Sequence, residues 1–487
     1  MSSVETRQAS RGPAVLLCAL ALIAFVIAGA SCAERHVQPP KQSPPTPDGG
    51  ASVSATPAPA ALPDEPTLDD YLAYAGQNSP ALRAARERWQ AAIQRISQER
   101  ALPDPMLSYN RDVQGPEEWE VMLSQTFPWF GTLRLRGDVA LQEALMAQQE
   151  YEAARLDTVY RFKQEYFDYY YLAHSIAVTE ENIQLVTSLE EVARQEYTGG
   201  RAPQSAVIKA QIELEKLRDS LRELTEQRTP AAAKLNAILG RDPGASLPWP
   251  KDLPDDSKPA SADELIGQLR AGNPELKSLD FAIANAVRSV SLAGRSRYPD
   301  LTLGVKYMSN DSSMTTGGAD SDENPVMVML SINLPVWVGK NRAAIREARA
   351  TLESAIAERA DRENMLLAEL KMALFMYEDA GRKITLYKDT LVPQAEQSLK
   401  VTQQAFTAGS ADFLDLIDAQ RTLLDIRLMA ERALANRAQR RAEIDMLVGA
   451  QPASGPPPAS GASPAPGERN AGPGNQPGAG GVHSERD

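Results

Sequence analysis

The sequence predicts a mainly α-helical protein that also carries strands of a membrane β-barrel, in a unit that is present twice. Three observations lead to this fold class. The same landmarks recur in two parts of the chain, very long stretches lack helix-breaking residues, and four short segments alternate apolar and polar residues. Each copy is expected to contain a long helix, a strand pair, and two very long helices around a glycine turn.

The duplication is visible in four landmarks that occur in the same order within residues 80–240 and 274–449. An X-Pro pair opens each copy, a Pro-Asp pair precedes the strands, a segment with Pro, Trp and Gly follows them, and a glycine turn comes last. Gly200 and Gly409 mark that turn, and each is followed at the same spacing by an Ala-Gln pair. This order favours an internal repeat over two unrelated helical regions.

The helices of each copy are expected to form rods. Residues 133–197 include no proline, and residues 204–239 are expected to form the next long helix. At about 1.5 Å per residue, the first stretch alone spans about 100 Å. In the second copy, Pro393 should kink or break the rod near Thr390.

After Gly409 the apolar positions of the helix spread too widely for a two-stranded coiled coil and leave one narrow polar stripe. Its residues are Asp415, Asp418, Thr422, Asp425, Arg432, Asn436 and Gln439. Such a stripe fits the wall of a helical cylinder that faces water inside. The solvated face of a plain helical bundle is the alternative.

Strict alternation marks four strands, near residues 106–111, 118–127, 301–308 and 329–334. Period two gives a sheet one apolar and one polar face, and rods of this length are too long to fold back over the apolar one. Tilted strands of about nine to eleven residues cross a bilayer if the sheet closes into a barrel. Because four strands cannot enclose an open lumen, several chains of a cyclic oligomer are expected to contribute hairpins.

Aromatic side chains invite two interpretations at two places. Trp129 and Trp337, where strand gives way to helix, suit either an interfacial aromatic belt or a buried contact between rod and barrel. The cluster at 166–171 could be a ligand platform, but packing between helices is favoured because consecutive residues spread around a helix.

Composition argues against several classes of function. The net charge of −13 comes from 51 basic and 64 acidic residues, and no basic stretch indicates a nucleic-acid partner. His36, His174 and His483 are isolated, without the i, i+4 partner that a helical zinc site needs. The sequence therefore predicts no catalytic residue, no metal site and no cofactor.

The predicted organisation begins with a secretory signal, in which arginines precede an uncharged apolar run. Small residues lead to Cys32 and resemble a bacterial lipoprotein cleavage site, although Gly29 stands where that family usually has Leu. Cys32 is the expected lipidation site, with cleavage after Ala30 and an uncleaved membrane anchor as alternatives. The segments are a signal peptide at 1–31, a Pro/Ala/Ser-rich tether at 32–66, a first repeat at 67–240, a linker at 241–260, a second repeat at 261–449 and a disordered tail at 451–487.

Together these motifs resemble the TolC-like outer membrane efflux proteins over residues 67–449, and within them the lipoprotein branch that serves multidrug or heavy-metal pumps. The segment 406–421 around the second glycine turn is the closest match. The resemblance implies a homotrimer in the outer membrane of a Gram-negative bacterium. Its twelve-stranded β-barrel, with four strands per chain, would lie among outer-membrane lipids and continue into a periplasmic α-helical barrel.

A passive exit channel is the function that the resemblance implies. The channel would dock on a periplasmic adaptor (membrane fusion) protein and an inner-membrane RND-type pump. A periplasmic coiled-coil adaptor or scaffold without a pore is the alternative, although it would not need four alternating strands. The sequence leaves open whether drugs, metal ions or secreted polypeptides are exported.

The same resemblance places the channel constriction at Asp415 and Asp418, six and nine residues after Gly409. Threefold symmetry would gather six carboxylates there, which favours cations. Acidic residues that merely balance the helix dipole are the alternative. Some family members hold the closed tip with an arginine and an aspartate, and Ala411 and Ala206 stand at those positions here. Closure is therefore expected to rest on other contacts.

Overall fold

The structure is a computed structural model that describes residues 62–63, 65–112, 119–254, 259–309 and 326–450. The predicted signal peptide, Cys32, nearly all of the tether, part of the linker and the tail lie outside the described residues. The described part is mostly helical and carries one four-stranded antiparallel sheet, in agreement with the mainly α prediction.

Helices and strands follow the predicted order in both copies. The first copy contains α1 (Leu68–Asn78), α2 (Pro80–Arg100), β1 (Met106–Arg111), β2 (Trp119–Phe127), α3 (Thr132–Thr198), α4 (Gln204–Glu226) and α5 (Arg228–Leu239). The second contains α6 (Ala262–Gly272), α7 (Pro274–Ala293), a 3-10 turn (Gly294–Arg297), β3 (Leu301–Ser309), β4 (Val326–Ile332), α8 (Val338–Ile384), a π-helical turn (Thr385–Leu391), α9 (Val392–Thr407) and α10 (Phe413–Leu447).

The sheet joins the two copies through their inner strands, because its order is β1-β2-β3-β4. Leu123 of β2 lies opposite Val305 of β3, and Phe127 lies opposite Leu301. This register brings all four connections between helices and strands to the same end of the sheet. The last strand ends before the predicted 329–334 segment does, because Pro335 has no N–H to donate to a strand ladder.

The first rod is confirmed, since α3 runs for 67 residues without interruption. The expected continuous helix at 204–239 is wrong in one respect, because α4 ends at Glu226 and α5 begins at Arg228. Pro230 explains the break: its nitrogen carries no hydrogen, and its ring crowds the carbonyl four residues earlier.

The second rod is interrupted where the sequence predicted it. A seven-residue π-helical turn separates α8 from α9 and contains Thr390. Pro393 removes one hydrogen-bond donor from the helical ladder, and the wider turn accommodates this loss without ending the rod.

Two glycines make the same close approach in both copies. Gly240 follows α5 with φ +71°, and a Cβ atom there would lie 2.8 Å from the carbonyl oxygen of Asn78. Gly449 follows α10 with φ +71°, and its Cβ would lie 2.7 Å from the carbonyl oxygen of Gly272. The end of each copy thus packs on the connection between that copy's first two helices, which are α1 and α2 in the first copy and α6 and α7 in the second.

Gly449→Ala should therefore destabilise the protein more than Gly409→Ala. Both glycines adopt positive φ, which costs an alanine about 1 kcal/mol, but only Gly449 also meets backbone atoms. We expect a loss of about 3 kcal/mol for Gly449→Ala, measured by thermal unfolding in detergent. Equal losses for the two variants would contradict the proposed close approach.

Candidate functional site

The two glycine turns have the same geometry at the end of the rods far from the sheet. Gly200 (φ +70°) and Gly409 (φ +74°) both adopt the left-handed conformation. The residue after each glycine donates its N–H back to the helix, from Arg201 to the Glu196 carbonyl at 2.8 Å and from Ser410 to the Ala405 carbonyl at 2.9 Å. Only glycine adopts this conformation without steric cost, which explains the recurring landmark.

Asp415 and Asp418 lie on one exposed face of α10, directly after the second turn. The Asp415 carboxylate accepts a hydrogen bond from the backbone N–H of Asp412 at 3.1 Å and so completes a capping box. Asp415 therefore has a role in starting the helix. Nowhere in the described ranges do three or more His, Cys, Asp or Glu side chains come together in a way that could hold a metal ion.

The predicted polar stripe of α10 changes character along the helix. Its first four members are exposed, whereas Arg432 pairs with Asp168 of α3 at 2.7 Å. Gln439 is buried and donates to the carbonyl of Gln164 at 3.0 Å. The prediction that the whole stripe faces water is wrong for Gln439, because the second half of α10 packs against α3.

The glutamines of the repeated Ala-Gln landmark both bond to α3. Gln420 is fully buried and donates to the side-chain oxygen of Asn182 at 3.0 Å. Gln211 donates to the carboxylate of Glu190 at 3.3 Å. The landmark thus recurs because each helix that leaves a glycine turn is fastened to the same long rod.

An ion pair that the sequence did not predict joins α4 to α10. Arg421 Nε donates to Glu213 Oε1 at 2.9 Å, and Arg421 Nη2 donates to Glu213 Oε2. Only 6% of the Glu213 side chain is exposed. The hydrogen bonds from Arg421 lower the pKa of Glu213, and the carboxylate raises the pKa of Arg421. This bidentate pair connects the two copies near the tip turns.

The aromatic cluster at 166–171 is mainly a packing element, as favoured by the sequence. Tyr166, Phe167 and Tyr169 are buried, and Tyr169 stacks on Trp249 with ring centroids 4.4 Å apart. The Tyr169 hydroxyl donates to the carbonyl of Leu247 at 3.1 Å. These contacts fix the chain after α5 against the middle of α3.

The apolar face of the described sheet carries highly exposed side chains. Val328 is 75% exposed and Leu107 is 72% exposed, although both lie in regular strands. Cross-strand partners on this face include Leu107 with Leu123 and Val305 with Val328. The predicted alternation is therefore confirmed, and its apolar side has no covering layer among the described residues.

The polar face carries charges and thioethers. Glu120 pairs with Lys306 across β2 and β3, and Asn110 donates to Glu120 at 2.7 Å. The strand register also gathers five methionines on this face, a group that the strand alternation alone does not reveal: Met106, Met122, Met308, Met327 and Met329. This face thus combines the ion-paired group and several serine and threonine hydroxyls with flexible thioether side chains.

Aromatic residues surround the edge where the strands meet the helices. Trp129 stacks on Tyr298 with ring centroids 5.4 Å apart, so it is partly buried at the junction. Phe130 is 85% exposed and Trp337 is 75% exposed. Trp129 therefore has the buried contact at the junction of rod and sheet, one of its two predicted environments, whereas Trp337 is exposed. Among helices in the described ranges, none is long and apolar enough to cross a membrane.

The geometry defines a class of protein built from two fused helix-strand-strand-helix units with long rods. Residues 72–241 and 265–450 match the sequence model of the outer membrane efflux protein family. The chain belongs to this family, whose members are efflux channels and not enzymes, and it is located in the outer membrane.

Known relatives agree with this assignment. The chain is 23% identical over 399 residues to the cobalt-zinc-cadmium resistance protein CzcC of Cupriavidus metallidurans, covering 79% of this chain and 90% of CzcC. It is 22% identical to the outer membrane protein TolC of Vibrio cholerae, covering 74% of this chain and 85% of TolC. The outer-membrane channel OprN has the same fold, with a TM-score of 0.69, 18% identity, and coverage of 80% of this chain and 91% of OprN.

Arg421→Met should loosen the tip, because it leaves the buried Glu213 carboxylate without its partner. We expect a loss of about 2 kcal/mol of local stability, measured as faster amide hydrogen exchange in α4 and the start of α10. Arg218→Met is the matched control, because its partner Glu215 is exposed and such pairs contribute at most about 1 kcal/mol. Similar exchange in both variants would show that the Glu213 pair does not hold the tip.

The stabilising effect of Arg421 should depend on pH. Since the pKa of Glu213 is lowered in the folded protein, the pair contributes its stability above the unfolded pKa of about 4.3. That contribution disappears as the pH falls through the lower folded-state pKa. The difference in melting temperature between wild type and Arg421→Met should therefore be largest at neutral pH and shrink below about pH 4. A difference that grows on acidification would contradict this assignment.

Proposed function

We propose that three copies of this chain form a passive exit duct of a tripartite efflux system. The observation that carries the proposal is the uncovered apolar face of the sheet, whose residues Leu107 and Val328 are exposed in the single chain. In an outer-membrane protein, lipid is the solvent that such a face requires. Four strands from each of three chains would close a twelve-stranded barrel, because β1 and β4 have unpaired outer edges in the described sheet.

The polar face would line the lumen of this barrel. Glu120, Lys306 and Asn110 form their ion-paired group there, where water can solvate it. The rods would continue the lumen through the periplasm as a helical barrel. A scaffold without a pore accounts for the long rods but gives no reason for the exposed apolar strands.

At the far end, Gly200 and Gly409 would form the periplasmic tip turns. Asp415 and Asp418 would form the constriction, because both carboxylates are exposed on one face of α10. An adaptor protein and an RND-type inner-membrane pump would dock at this tip. Export of drugs, metal ions or other small molecules is proposed, and the relative named for cobalt, zinc and cadmium resistance supports metal ions as one class.

The predicted segments belong to the same proposal. Residues 1–31 would direct export, and lipidation of Cys32 would anchor the chain through the tether at 32–66. The two repeats at 67–240 and 261–449, joined by the linker at 241–260, would build the duct. The tail at 451–487 would take no part in it.

Planar-bilayer conductance of the purified protein tests the proposal. Wild type should form cation-selective channels, and Asp415→Ala with Asp418→Ala should reduce the selectivity and the block by divalent cations, because the carboxylates attract cations. The matched control is Glu215→Ala with Asp219→Ala, which removes two exposed carboxylates from α4.

Absence of any channel activity, even from the Asp415/Asp418 double variant, would contradict the proposed duct. Cation block that is insensitive to Asp418→Ala would leave the duct in place but reject the constriction at these residues. Loss of selectivity in the α4 control would likewise reject it.

A further inference from the structure

A set of cationic side chains lies at the end of the sheet where the strands connect to the helices. We call Arg134, Arg136, Arg297, Lys340 and Arg342 the junction collar. All five side chains are exposed. In the ranges that the structure describes, none of the five forms an ion pair with a carboxylate. The register that pairs Phe127 with Leu301, and Leu301 with Ile332, brings their segments to the same sheet edge.

Four of the collar's positive charges are unfavourable for the helices that carry them, because they lie near helix N-termini. Arg134 and Arg136 lie near the start of α3, and Lys340 and Arg342 near the start of α8, while neither first turn contains an acidic residue. A helix N-terminus carries partial positive charge, so cations there are unfavourable. The helices α1, α6 and α10 begin instead with carboxylates. An anion from outside the chain would remove this repulsion.

The chain itself supplies few carboxylates that could neutralise the cations at this end of the sheet. The junction segments 99–104, 129–138, 294–300 and 333–342 contain seven cationic and four carboxylate side chains, although the whole chain carries a net charge of −13. Two of the four carboxylates are already engaged. Asp138 faces Arg100 at 4.0 Å, and Asp300 accepts the N–H of Trp129 at 3.2 Å. Glu99 and Asp104 are the other two.

The order of residues away from the strands matches the profile of a bilayer surface. Exposed apolar side chains come first, at Phe130 after β2 and at Trp337 after β4. Cations follow within a few residues, at Arg134 in α3 and Lys340 in α8. Aromatic side chains favour the membrane interface, and long cationic side chains reach the headgroups just beyond it.

We propose that the junction collar binds the anionic headgroups of phospholipids in the periplasmic leaflet of the outer membrane. The inference rests on the proposed duct, which places this sheet edge at the inner surface of that membrane. Free phosphate and lipid headgroups share the same chemistry. Lipid is the occupant that fits, because the cations are spread over three separate segments beside exposed aromatics and do not converge on one pocket.

Lipid retention by the full chain tests the inference. The purified protein is equilibrated in mixed micelles of equimolar phosphatidylglycerol and phosphatidylcholine, washed, and its retained lipid is quantified. Wild type should retain about tenfold more phosphatidylglycerol than phosphatidylcholine at low salt, and less of it at high salt. Combined Arg134→Gln, Arg136→Gln, Lys340→Gln and Arg342→Gln should bring this ratio below about twofold.

The matched control removes four exposed lysines far from the sheet, by combined Lys209→Gln, Lys216→Gln, Lys388→Gln and Lys400→Gln. It should keep the wild-type ratio. A collar variant with the wild-type ratio, a wild type without preference, or full displacement of lipid by 10 mM inorganic phosphate, about the scale of weak anion binding, would each overturn the inference.

Conductance of the same preparations separates this inference from the proposed duct. A collar variant that conducts normally but has lost its preference for phosphatidylglycerol supports the lipid surface and leaves the duct intact. A wild type that prefers phosphatidylglycerol but forms no channel would reject the duct and, with it, the assignment of the collar to the periplasmic leaflet.

Discussion

The exposed apolar face of the four-stranded sheet determines what surroundings this protein needs. Its side chains would bury against a second layer in a water-soluble fold, yet the described helices extend away from the sheet edge. An uncovered face of this kind is stable only in contact with lipid or with other chains. The outer-membrane location supplies such lipid, and the proposed closure with further chains would pair the free edges of β1 and β4.

The duplication explains how one chain provides all four strands of this sheet. One chain provides two hairpins and two rod pairs, and β2 and β3 join the copies in a single sheet. The copies remain alike where geometry demands it, as in the left-handed Gly200 and Gly409. They differ in charge beyond the turn, where Ala206 and Lys209 in one copy correspond to Asp415 and Asp418 in the other. Arg421 and Glu213 then tie the unlike helices together.

Local signals made much of the fold predictable. The absence of proline identified α3, strict alternation identified β1 to β3, and glycine identified both turns. Pro230 is equally local, and the expectation of one helix across it was wrong because a proline inside a helix removes an N–H donor and breaks the ladder. The prediction that Gln439 faces water was wrong because helical periodicity does not show which other helix covers a given face.

Contacts between distant residues were beyond the sequence. Glu213 and Arg421 are 208 positions apart, and nothing in either local segment distinguishes them from the many exposed charges nearby. The positive charges near the start of α3 and α8 can be identified from the sequence. That they lie at the same end of the sheet follows only from the strand register. The same holds for the five methionines that share the polar face.

Cysteine scanning along β2 in intact outer membranes shows whether the apolar face of the sheet contacts lipid. Single cysteines at Val121, Met122, Leu123 and Ser124 are exposed to a water-soluble maleimide, with the unsubstituted parent as background. We expect labelling at Met122 and Ser124, on the face proposed to line the lumen, and protection at Val121 and Leu123, on the face proposed to contact lipid. Equal labelling at all four positions, or the opposite alternation, would contradict it.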